Sequence, residues 1–190
     1  MPPTGKGRQT PPEAVAGQGG IPMRRRLLAA LLAAFLPGPA LAEAPAPEAR
    51  GPVTNLPMPR FVSLKAGEGY ARRGPSSTHR IDWVFVRRHM PLRVVDEYGH
   101  WRRVQDSEGA GGWMHYSLLS GNRTVIVEPE ELHLRRSPTR DSAVSARLAR
   151  GVVAWLGACE DGWCRVEVDD AEGWAEQAAL WGVAPDEARD

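Results

Sequence analysis

Between Phe61 and Ala175 apolar residues come in short runs in which Val, Leu and aromatic side chains alternate with polar ones, the period of strands with one buried face. In the first half the runs are Phe61–Lys65, Tyr70–Arg73, Trp83–Val86, Leu92–Glu97, Trp101–Asp106 and Gly112–His115. In the second they are Thr124–Val127, Leu132–Arg135, Ala143–Leu148, Val152–Ala158, Trp163–Val168 and Gly173–Ala175. Turn formers punctuate them: Gly67 and Gly69, Gly74-Pro75, Met90-Pro91, Gly99 and Gly109. No segment here carries a long helical period; Ser117–Leu119 and Gln177–Leu180 suit only single turns. The expected fold is all-β, with strands short enough for small barrels.

The chain before Phe61 is patterned differently. Met23-Arg24-Arg25-Arg26 precedes an apolar run, Leu27 to Leu36, then Pro37-Gly38-Pro39 and small residues at Ala40 and Ala42. That order predicts a secretory signal peptide within residues 1–42, with Met23 as a candidate initiator and a mature chain from Glu43. The apolar run is about half of the ~20 residues a bilayer span needs. The expectation is export to the periplasm, with no membrane span after signal cleavage. Pro45, Pro47, Pro52, Pro57 and Pro59 make residues 43–59 a Pro/Ala-rich linker with polyproline II character.

The strand pattern also repeats. Arg72-Arg73-Gly74-Pro75-Ser76 recurs as Arg135-Arg136-Ser137-Pro138-Thr139, and Trp101-Arg102-Arg103-Val104 as Trp163-Cys164-Arg165-Val166. Gly112-Trp113 recurs as Gly173-Trp174, and Leu118-Leu119-Ser120-Gly121 faces Ala179-Leu180-Trp181-Gly182. Ordered matches at nearly constant offset mark a duplicated unit. The predicted units are residues 60–123 and 124–183, with an acidic tail at 184–190.

In the first unit the R-x-G-P stretch, the hairpin ending in W-x-x-V and the G-W pair before a short turn resemble the bacterial SH3-like (SH3b) domain. Trp83-Val84-Phe85 and Ser117-Leu118-Leu119-Ser120-Gly121 are similar to the SH3-like proteins of alphaproteobacteria. The second unit departs: Ser137 replaces the glycine and the Trp-Val-Phe strand is missing. The resemblance implies two tandem SH3-like small β-barrels after a signal peptide and linker. It also implies an exported binding or scaffolding module for peptidoglycan or an envelope protein.

Charge is divided between the units. Phe61–Arg123 holds ten Arg/Lys and six Asp/Glu, whereas Thr124–Asp190 holds seven and fourteen. This suits two independently solvated surfaces, complementary packing of the two units, or a basic first barrel meeting an anionic partner. An acidic second half and export argue against nucleic acid.

Cys159 and Cys164 flank Glu160-Asp161-Gly162-Trp163. A two-residue turn at Asp161-Gly162 places the cysteines directly opposite in a non-hydrogen-bonded pair, where Cα atoms approach to ~4.5 Å. A disulfide is expected there in an oxidising compartment. At the aligned positions the first unit has Glu97 and Arg102, an opposite-charge cross-strand pair.

Nothing in the pattern calls for catalysis. His79, His89, His100, His115 and His133 show no His-x-x-x-His or Glu-x-x-His spacing, Ser117 and Ser120 lack a nucleophile-elbow context, and no phosphate-cradling loop is present. No enzyme activity, metal or cofactor is expected. All seven Trp fall within the repeats, and Trp101, Trp113, Trp163 and Trp174 recur at matching positions, which predicts partly structural roles. Tyr70, Trp83, Tyr98 and Tyr116 occur only in the first copy. They are the expected lining of a ligand groove, since flat rings bury area at little entropic cost. Arg72, Arg73 and Arg103 are the expected anion contacts beside it.

Overall fold

The structure, a computed structural model, describes residues 49–185 and 187–189. The expected signal peptide at 1–42 and linker residues 43–48 lie outside the described residues, as do tail positions 186 and 190.

The first unit contains β1 (Arg60–Leu64), β2 (Gly69–Arg72), β3 (Ile81–Phe85), β4 (Pro91–Tyr98), β5 (Trp101–Gln105), β6 (Gly111–His115) and β7 (Leu119–Ser120). They form one antiparallel sheet ordered β3-β2-β6-β5-β4-β1-β7. The second unit contains β8 (Thr124–Val127), β9 (Glu131–Arg135), β10 (Val144–Ala149), β11 (Val153–Glu160), β12 (Trp163–Val168), β13 (Ala171–Glu176) and β14 (Leu180–Trp181). Its order, β10-β9-β13-β12-β11-β8-β14, is the first displaced by seven strands. A single 3-10 turn precedes the last strand of each unit, at Tyr116–Leu118 and Gln177–Ala179.

Each sheet curls around its own core. Leu64, Ala71, Phe85, Leu92, Val94, Val104 and Met114 fill the first. Val125, Val127, Leu134, Leu156, Val166 and Leu180 are among those filling the second. Each buried Leu, Val, Phe or Met side chain among them is worth roughly 1.5–3 kcal/mol of burial. The glycine before the recurring tryptophan is demanded by packing. A Cβ on Gly112 would sit 2.5 Å from the Arg72 carbonyl oxygen, and one on Gly173 would sit 2.9 Å from that of Arg135. The close approach of β6 to β2, and of β13 to β9, therefore needs the bare backbone.

The Cys hairpin closes as expected. Asp161 and Gly162 have φ of 49° and 78°, Glu160 pairs with Trp163, and Cys159 opposes Cys164 in a disulfide with Cα atoms 4.1 Å apart. The outward amide and carbonyl of Cys159 both bond Arg189, so the end of the chain adds a bridge to the hairpin's outer side. Glu187 accepts two hydrogen bonds from the Arg123 guanidinium, at 2.8 and 3.1 Å.

Residues 49–59, expected to belong to a spacer, are instead pinned to the first barrel. The anchor is Glu97, whose side chain is fully buried. Its carboxylate accepts from the Thr54 hydroxyl at 2.7 Å, the Thr54 and Val53 amides at 2.9 and 3.1 Å, and Arg60 at 2.6 Å. Arg102, its cross-strand neighbour, lies 3.4 Å away. A buried carboxylate needs this many donors, and the linker supplies those the strand cannot.

The two barrels meet through rings and backbone acceptors. Phe61 packs edge-on against Trp181 with centroids 5.2 Å apart, and His89 packs at a tilt against Trp155 at 4.6 Å. The Thr124 hydroxyl donates to the His89 carbonyl at 2.6 Å, and Arg87 donates to that of Gly151 at 2.7 Å. Of the expectations from the charge split, packing occurs; these contacts are not ion pairs, whereas Arg123 at the end of the first unit does form one with Glu187 of the tail.

Candidate functional site

The pleat of β5 and β6 decides which residues face out. Arg102, Val104 and Met114 are buried, so their neighbours Trp101, Arg103, Trp113 and His115 project from the opposite face. Register aligns them in two adjacent rows. One row runs Tyr98–Trp101–His115 across β4, β5 and β6. The next runs Asp96–Arg103–Trp113–Arg72 across β4, β5, β6 and β2.

The first row continues into the turn that follows β6. The His100 ring lies 5.5 Å from Tyr116 and 5.9 Å from His115, His115 lies 4.9 Å from Tyr116, and Trp101 meets His115 edge-on at 5.6 Å. Tyr98 and Tyr116 remain 65% and 50% exposed, so the cluster offers ring surface to a partner. His115 Nδ1 also accepts from the Ser117 amide and lies 2.7 Å from its hydroxyl, which caps the 3-10 turn and fixes Tyr116 in place.

Of the residues expected to bind ligand, Tyr98, Tyr116 and Arg72 reach this face, and Tyr70 projects from the same side of β2 as Arg72. Glu68 raises the pKa of the Tyr70 phenol, first through a hydrogen bond and then through its charge. Trp83 does not join them. It pairs with buried Ala71, whereas Tyr70 pairs with Val84, so alternation sends Trp83 to the opposite side, where it packs on Phe85. It stays 45% exposed because β3 is an edge strand.

Two of the three expected arginines have local partners. Arg72 donates to the His79 carbonyl at 2.7 Å and closes the loop between β2 and β3; Arg135 does the same to Ser142 at 2.7 Å in the second unit. Arg73 pairs with Asp82 at 3.1 Å. Hydrogen bonds from Arg80 and then Arg73 lower the pKa of that carboxylate. His100, Trp101 and His115 were not singled out as site residues from sequence. Two-residue spacing around buried Arg102 and Met114 was the available signal.

The second barrel keeps the scaffold and changes the chemistry. Its rows are Glu160–Trp163–Glu176 and Arg165–Trp174–Arg135. Carboxylates stand where the first barrel has Tyr98 and His115. Glu176 is tied to Arg140 at 2.8 Å and Glu172 to Arg165.

Tandem antiparallel barrels of this size define a class of small β-barrel modules. The chain belongs to the bacterial SH3 domain family, whose model matches residues 65–121 and again 128–182. It is 23% identical over 141 residues to YrvJ of Bacillus subtilis (strain 168), a protein named for an N-acetylmuramoyl-L-alanine amidase activity. That match covers 64% of this chain but only 27% of the relative's length. Among solved structures it is similar to NlpC2 and NlpC1 from Trichomonas vaginalis, at 12% and 11% identity and a TM-score of 0.32 for both. Those matches cover 65% and 69% of this chain and 48% of each of the others.

Proposed function

We propose that this chain is a non-enzymatic binding module of the cell envelope that recognises peptidoglycan or wall peptides through the outer β5–β6 face of its first barrel. The observation that carries the choice of face is the contrast between the copies. Tyr98, Trp101 and His115 present rings where the second copy presents Glu160, Trp163 and Glu176. Membership of the bacterial SH3 family and similarity to a protein named for N-acetylmuramoyl-L-alanine amidase activity support the wall as ligand. The amidase activity itself is not carried over, because the match covers 27% of that protein.

Co-sedimentation of the purified chain with peptidoglycan across a salt series tests this. Binding that survives moderate salt and falls at least fivefold in a Tyr98→Ala, Tyr116→Ala double variant supports it. Binding lost with modest salt alone assigns the interaction to the basic surface. Absence of binding at every salt concentration rejects the wall as ligand.

A second reading, a protein–protein adaptor or scaffold for an envelope enzyme, is favoured by β3. Its outer edge pairs with no strand among the described residues, and Ile81, Trp83, Val84 and Val86 are exposed along it. Such an edge accepts an extended segment of a partner. A pull-down from envelope extract that is lost in Trp83→Ala but kept in the Tyr98/Tyr116 variant distinguishes this reading.

A further inference from the structure

The second row of the face differs between the copies in one respect that points to ligand chemistry. In barrel two the guanidinium of Arg165, beside Trp174, is occupied by the carboxylate of Glu172. In barrel one the matching guanidinium, Arg103 beside Trp113, has no ion-pair partner among the described residues. The register identifies the position that supplies the difference. Glu172 pairs with Glu167 as Gly111 pairs with Gln105, so glycine replaces the carboxylate-bearing residue.

At the Gly111 position barrel one has no room for that carboxylate. A Cβ at Gly111 would lie 2.1 Å from the Val104 carbonyl oxygen, and the residue sits at φ 155°. Asp96, opposite Arg103 in the ladder, directs Oδ1 to the Glu97 amide at 2.7 Å. Arg72, on the other side of Trp113, spends one N–H on the His79 carbonyl and so holds its place in the row.

We infer that Arg103, with Trp113 and Arg72 beside it, is a receptor for a free carboxylate on the ligand, and that Glu172 fills the corresponding receptor in barrel two from within the chain. The inference rests on the face proposed above and names the group recognised there. An arginine fork matches a carboxylate through paired N–H donors, and the adjoining indole covers the apolar atoms next to it. A peptide ending in a free carboxylate has this chemistry, whether it comes from the wall or from a protein C-terminus.

The test is a titration of the purified chain, read on the Trp113 and Trp174 indole N–H signals, with two acid/amide pairs. One pair is a wall tetrapeptide and its C-terminal amide; the other is a linear L-peptide of the same length and its amide. The expected result is that the wall acid shifts Trp113 and binds about tenfold tighter than its amide, and that Arg103→Gln abolishes the preference. In Glu172→Gln the acid also begins to shift Trp174. Equal binding of wall acid and amide, with no preference in the L-peptide pair either, overturns the carboxylate receptor while leaving wall binding intact. A preference seen only with the L-peptide pair keeps the receptor and overturns the wall as its source. No preference in either pair, or a preference that survives Arg103→Gln, overturns the inference.

Discussion

Glu97 shows how one residue can carry both a local pairing and a tertiary anchor. Burial on its own would push its carboxyl pKa up. The donors from Thr54, Arg60 and Val53 outweigh that and hold it at about 2, below the ordinary 4.5. Because the folded value is depressed, the stabilisation is complete above the ordinary value and is lost as pH falls toward 2. The window is therefore about pH 4.5 to 2, and the shift corresponds to at most roughly 3 kcal/mol. Chemical denaturation followed by Trp fluorescence should show stability falling through this window. In Glu97→Gln the protein should be less stable at neutral pH and should lack that part of the pH slope. An unchanged slope in Glu97→Gln would assign the acid sensitivity to other groups. At the same scale, Gly111 and Glu172 are a single-position difference that separates an open guanidinium from an occupied one.

At the scale of elements, the Cys159–Cys164 hairpin gives a separable test. The closed loop is short, so the chain-entropy model assigns the disulfide about 2 kcal/mol. Reduction should lower the unfolding temperature of the second barrel by several degrees and leave the first in place, as read by calorimetry with and without reductant. Equal shifts of both barrels would mean that the two unfold as one unit. The strands themselves were largely legible in the sequence, because a buried face imposes alternation and the duplication let one copy check the other. The two-residue strands β7 and β14 were not, since Leu119–Ser120 and Leu180–Trp181 are too short to show a period. The packing of residues 49–59 was also hidden. It depends on Thr54 and Val53 amides meeting a carboxylate 43 and 44 positions away, and a proline-rich composition says nothing about such a contact. The face itself was half legible. Tyr98 and Tyr116 stood out by occurring in one copy only. Trp83 stood out for the same reason but lies on the other side of its strand, a distinction set by register against Ala71.

For the whole molecule, duplication yields two scaffolds with divided chemistry. The first barrel exposes rings and an arginine with no ion-pair partner among the described residues; the second carries carboxylates at the matching points and pairs its own arginine with one. The junction of Phe61 with Trp181 and His89 with Trp155 joins them through contacts apart from the ring face. On the proposed function, ligand binding falls to the first copy and the second serves as a packed companion. The seven tryptophans make that assignment directly measurable, since four of them lie on matching faces. The decisive measurement is the indole N–H spectrum of the chain during titration with soluble peptidoglycan fragments. The account predicts concentration-dependent shifts at Trp101 and Trp113, with Trp163 and Trp174 unmoved. Shifts confined to Trp163 and Trp174, or to Trp83 on the β3 edge, would contradict it.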